Sequence, residues 1–335
     1  MAASDFRALE SKNRRQTVVL VAVFLVLYAV LGLGLDLAAG NIRIVNGAVY
    51  AVPIFTVLAI IIAAIQSYAS YYGGASLVLM SVHARPLTPD TPKHQMVLDV
   101  IDEMAVAARM PVPKAYLMDD PAPNAFATGR DPAHSVICVT QGLVEEMDRE
   151  EMQGVVGHEM SHVADYDIRT MMIVAILAGG VAMLSDFAYR WMFWGGFGMG
   201  GRSGGSSNSG GNEAGALIAI AVFILAAVAP IFAQMIAMAV SRKREYLADA
   251  SSVEFTRNPR ALLRALEQIA KTESPLKAGT AGTAHLFMVN PREGLRENDR
   301  EGFFDRLFST HPPLNLRIAR LQAMLGQSGA TPGHA

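Results

Sequence analysis

The chain has 335 residues, 52% of them hydrophobic and only 17% charged, which is too apolar and too sparsely charged for an ordinary soluble domain. A formal net charge of −2 leaves no basic surplus to neutralise phosphates, so a nucleic-acid binder is excluded. Cys138 is the single cysteine, which excludes an intramolecular disulfide and suits a reducing compartment.

The first predicted element is a membrane helix over about 16–35, where no residue is charged between Arg15 and Asp36. Basic residues before this run and "LAAGN" after it also suit a cleavable signal peptide. The apolar part exceeds the roughly 7–15 residues of a signal core, so an uncleaved anchor is expected. A second span is predicted at about 47–67, a third at about 170–188 and a fourth at about 214–240. The third is the shortest: its sixteen charge-free residues give about 24 Å of helix against a hydrocarbon core of about 30 Å. Tyr189, Trp191 and Trp194 beyond it would extend it as an interfacial belt. Lys and Arg flank the first span on its N-terminal side and the fourth on its C-terminal side, placing both termini in the cytoplasm.

These runs divide the chain into an N-terminal anchor, 1–70, a first soluble part, 71–169, a membrane hairpin, 170–241, and a second soluble part, 242–335. Within the first soluble part, apolar residues at Val97, Leu98, Ile101, Met104, Ala105 and Ala108 form one helix face, closed by Pro111 and Pro113. "KAYLM" and "SVICVT" read as strands. Cys138 sits inside the second with no cationic neighbour, so it reads as a small buried hydrophobe rather than a nucleophile. Asp148 and Glu151 stand in capping-box positions and open a helix carrying "VVGHEMSHVAD".

That last stretch holds the chemistry. Residues four apart on a helix are separated by about 400°, so His158 and His162 project from one face and can share one zinc ion. Glu159, turned about 100° from His158, stays off the bonding axis and near a bound water: the H-E-x-x-H arrangement. A catalytic zinc needs a third protein ligand, and Glu245 in "SRKREYLADA" returns to the same side if the third and fourth spans form a hairpin. The plain reading of Glu245 is a juxtamembrane ion pair with Arg242 or Arg244. Between those spans, Gly196, Gly198 and Gly201 satisfy G-x-G-x-x-G, but no strand precedes them, so the glycine- and serine-rich connection reads as a flexible linker.

"GHEMSHVADYD", "SRKREYLADA", "NAFATG" and "STHPPLNLRIARL" together resemble the HtpX-type membrane zinc metalloproteases, relatives of the type I CAAX prenyl proteases. The resemblance implies an α-helical integral membrane protein with a mixed α+β, gluzincin-like metalloprotease domain. It implies one zinc per chain held by His158, His162 and Glu245, with Glu159 as catalytic base. Asp167 and Asp249 match further acidic positions and are expected to support the ligands. His311 and Arg317 match positions that approach the active site and can stabilise the oxyanion. Asn124, Ala125, Phe126 and Ala127 are expected to shape a substrate groove, with an extended peptide adding to the sheet edge beside "SVICVT". Residues 272–301 read as a plain disordered insert more readily than as a mobile loop gating access.

The expected function is hydrolysis of misfolded or damaged membrane proteins at the inner (plasma) membrane of a bacterium, with the active site facing the cytoplasm. The expected partners are the bilayer and protein or peptide substrates; nothing in the sequence specifies an oligomeric state. A prenyl-peptide protease and a non-proteolytic zinc adaptor are the alternatives.

Overall fold

The computed structural model describes residues 3–45, 48–191, 212–271, 286–288 and 314–328. Trp194, Gly196, Gly198, Gly201, His311 and nearly all of 272–301 lie outside them. The chain forms two compact units, one from Met1–Thr17, Ser70–Ala175 and Ala237–Ala335, the other from Val18–Ala69 and Ile176–Ile236.

In the second unit, helix α1 (Ala3–Ala39) is followed by a two-stranded hairpin, β1 (Ile42–Val45) and β2 (Ala48–Ala51), and then α2 (Ile54–Ser81). The sequence places the second span from about 47; the structure starts it at Ile54. Pro53 explains the shift, because the residue before a proline is pushed out of helical conformation, and Val49 and Tyr50 favour a strand. Asp36, fully buried at the end of α1, accepts hydrogen bonds from the backbone N–H groups of Phe55 and Thr56, from Thr56 Oγ1 and from Asn41 Nδ2. It thereby caps α2 from another helix, satisfying donors that the first turn cannot.

Helix α6 (Asp167–Arg190) has 24 residues, about 36 Å, so the third span is longer than its charge-free run suggested. Among the described residues, three stretches are long and apolar enough to cross a membrane: Arg15–Ala39, Ile54–Ser81 and Asp167–Arg190. Helix α7 (Asn212–Thr256) carries a shorter described apolar stretch, Ile220–Ile236. Tyr189 packs on Phe223 and Trp191 on Phe55, so both rings serve helix packing.

The first unit is built on a four-stranded sheet of order β3-β4-β6-β5: β3 (Arg85–Pro86), β4 (Lys114–Met118), β5 (Ala125–Gly129) and β6 (Ser135–Thr140). β4 and β6 run parallel, the other pairs antiparallel. Ala125, Ala127, Ile137, Val139 and Leu117 share one face and pack on α3 (Pro92–Ala107) and α5 (Arg149–Ala164) in a single core. Helix α4 (Gln141–Glu146) leads from β6 toward α5, and α8 (Pro259–Lys271) and α9 (Leu314–Ser328) complete the unit. Gly154 lets α8 approach α5: a Cβ there would stand 2.4 Å from the Leu262 nitrogen.

Candidate metal centre

Helix α5 starts on the capping box the sequence predicts, Asp148 accepting from the Glu151 N–H and Glu151 from the Asp148 N–H. Its phase brings the His158 and His162 rings to 4.9 Å, nearly perpendicular. Helix α7 supplies Glu245, with Oε2 3.5 Å from His158 Nε2 and Oε1 3.6 Å from His162 Nε2. All three residues are buried, and their donor atoms lie within 4.8 Å of one another. Such separations are long for hydrogen bonds but suit ligands of one ion, since tetrahedral bonds of about 2.0–2.1 Å set neighbouring donors about 3.4 Å apart. His158 Nε2, moreover, is buried with no hydrogen bond among the described residues. The donor set fits zinc.

Each imidazole is backed by a carboxylate. Asp249 Oδ1 lies 3.0 Å from His158 Nδ1, the arrangement that fixes the ring and raises its basicity as a ligand, and Asp167 Oδ2 lies 3.5 Å from His162 Nδ1, at ion-pair distance. Asp167 reaches this position because Tyr166 turns the chain in the left-handed region, φ 58°, between α5 and α6. Arg244 pairs with Asp167, whereas Glu245 faces the two imidazoles and Arg317. Glu159 is also buried beside the ligands.

Arg317 of α9, expected from the sequence to approach the active site, lies beside the ligand residues. Its guanidinium is fully buried and grips Asp249 through Nε at 3.0 Å and Nη2 at 2.6 Å, while Nη1 donates to the Met288 carbonyl at 3.0 Å and lies 3.4 Å from Glu245 Oε2. Burial alone would keep His158 neutral, but the adjacent carboxylates of Asp249 and Glu245 outweigh it and push its pKa up to about 9. Burial would likewise raise Asp249, but Arg317 and His158 bring it down to about 2. Four carboxylates, Glu159, Asp167, Glu245 and Asp249, thus outnumber the two guanidinium groups beside them among the described residues, Arg317 and Arg244, a field that draws a cation to the two imidazoles.

The profile of peptidase family M48 matches residues 92–325. The chain belongs to this family. Among M48 relatives, it is 40% identical over 260 residues to a protease HtpX homolog of Caldanaerobacter subterraneus subsp. tengcongensis, covering 78% of this chain and 81% of that one. With the protease HtpX homolog of Limosilactobacillus reuteri it shares 38% over 315 residues, 94% and 98% of the two chains. A crystal structure of S. mikatae Ste24p aligns with TM-score 0.44 and 19% identity over 80% of this chain and 58% of that one, too loose a likeness to transfer any property. This M48 member is thus a membrane zinc metalloprotease of HtpX type, with His158, His162 and Glu245 as its zinc triad.

The residues expected to shape a substrate groove, Asn124 to Ala127, lie on or beside β5. "SVICVT" is strand β6, interior between β4 and β5, so the sheet edge beside it is Ala125–Gly129. Asn124 is buried, its N–H donating to Thr140 Oγ1 and its Oδ1 accepting from the Ala125 N–H. Sequence reasoning missed Leu286, Phe287 and Met288, which fall within the stretch read as a disordered insert yet are buried, with Phe287 edge-on to Phe126 at 5.0 Å. Their signal was an apolar run, Leu286 to Val289, among small and polar residues.

Proposed function

We propose that this metalloprotease hydrolyses peptide bonds in misfolded or damaged membrane proteins at the cytoplasmic face of a bacterial inner membrane. The observation that carries this reading is the junction at Asp165 and Tyr166, where the motif helix α5 runs into α6, one of the three long apolar helices. Hydrolytic chemistry is tethered to a membrane helix two residues beyond its last ligand-bearing turn.

Bound zinc supplies a Lewis acid that acidifies water and polarises the scissile carbonyl. Glu159 accepts the proton of the attacking water at its carboxylate and delivers it to the departing amine. Asp249 and Asp167 orient the two imidazoles, and Arg317 holds Asp249 in place from behind. In this reading His311 donates to the oxyanion, the role that the resemblance of "STHPPLNLRIARL" implies.

The test is zinc content and casein hydrolysis in detergent for wild type and Glu159→Gln. Both should hold one zinc per chain, and hydrolysis should fall by about 10²–10⁴-fold in the variant. Wild type that binds zinc but cleaves nothing would leave an adaptor. Zinc-dependent degradation of an unfolded multi-span protein in proteoliposomes, with a prenylated peptide left intact, supports quality control; the reverse pattern supports the prenyl-peptide alternative.

A further inference from the structure

The free edge of β5 is partly occupied by the chain itself. The Asn124 carbonyl accepts from the Thr140 N–H, toward β6, so by the alternation of an antiparallel ladder the Ala125 carbonyl points away from the sheet. It accepts a hydrogen bond of 2.9 Å from the Met288 N–H. The Met288 carbonyl is held at 3.0 Å by Arg317 Nη1, the same atom that stands 3.4 Å from Glu245 Oε2. Met288 thus bridges the sheet edge and the surroundings of the zinc triad with its main chain, while Phe287 is anchored on Phe126. An extended peptide adding to this edge needs the same carbonyl.

We infer that Leu286–Phe287–Met288 occupy the substrate's place on β5, so that the resting enzyme is self-occluded, and that the site at Phe126 receives a large apolar side chain of the substrate. This rests on the protease reading above. Among the described residues the segment is bent and makes one ladder-type bond, and its Met288 carbonyl is held by Arg317, so it sits on the edge as a poor substrate. Being on the same chain, it competes at high effective concentration. A folded protein offers no free apolar strand to displace it; an unfolded membrane segment does. Occlusion would therefore select for exposed apolar stretches.

The test uses the full-length, zinc-loaded protein in detergent. Phe287→Ala removes the anchor and should raise kcat/KM for labelled casein about tenfold, mainly through KM, as expected if about a tenth of wild-type sites are open. A blocked pentapeptide, Leu-Phe-Met-Val-Asn, should compete with casein on wild type, and a copy with Asp for Phe should not. Phe287→Ala activity at or below wild type, with zinc content and melting midpoint unchanged, overturns the inference. If that variant melts early, the peptides decide on wild type alone: equal inhibition by both, or by neither, overturns it. Absence of zinc-dependent casein hydrolysis in every variant is a different result, the failure of the protease reading itself.

Discussion

Glu245 and Asp249 lie one helical turn apart on α7, both buried and both acidic, yet they face different partners. Glu245 spans the two Nε2 atoms, whereas Asp249 meets His158 Nδ1 and Arg317. Glu245→Ala should accordingly abolish tight zinc binding, while Asp249→Ala should weaken it about 10- to 100-fold; equal zinc content in wild type and Glu245→Ala protein would remove the ligand assignment. Arg317→Ala leaves Asp249 charged and buried without its bidentate partner, so unfolding by denaturant should show a loss of about 3–5 kcal/mol. An unchanged midpoint would mean that the site relaxes to admit water. Cys138, interior on β6, is a further residue-scale test: burial, with Glu159 nearby, pushes its thiol pKa up, so N-ethylmaleimide should leave the native protein unmodified near neutral pH.

Helix α5 was legible because each of its signals is local: the Asp148/Glu151 box, the four-residue histidine spacing and the run into an apolar stretch. Strand order was not, since pairing depends on residues distant in sequence, and "SVICVT" identifies a strand without naming its neighbours. A clue was nonetheless present, as an unbroken apolar run is the pattern of a strand covered on both faces. Glu245 became legible only through the predicted hairpin, whereas Met288 gave no chemical signal because it acts through its backbone. At this scale Gly154 is the position to probe. Its missing side chain admits the α8 backbone, so Gly154→Ala should force α5 and α8 apart and cost about 1–3 kcal/mol, read as an earlier thermal transition. A variant as stable as wild type would show that the helices separate freely.

For the whole molecule, the catalytic triad requires α6 and α7 to return the chain to its starting side. They touch near both ends, Asp167 with Arg244 in one unit and Tyr189 with Phe223 in the other. In a Cys138→Ser background, a cysteine at Ser206 should react with a membrane-impermeant thiol reagent in intact cells, while one at Ala335 should not. Labelling at both positions, or protection of Ser206 beside a labelled external control, would contradict the hairpin. Asp36 carries a consequence for assembly. Its carboxylate answers the leading amides of α2 from within α1, and a bilayer offers those amides no water in exchange. The first span is therefore no interchangeable anchor: a chimera with a generic apolar helix of equal length would still insert, yet would leave the second span with an open polar end, and a leader-type cut after "LAAG" would do the same.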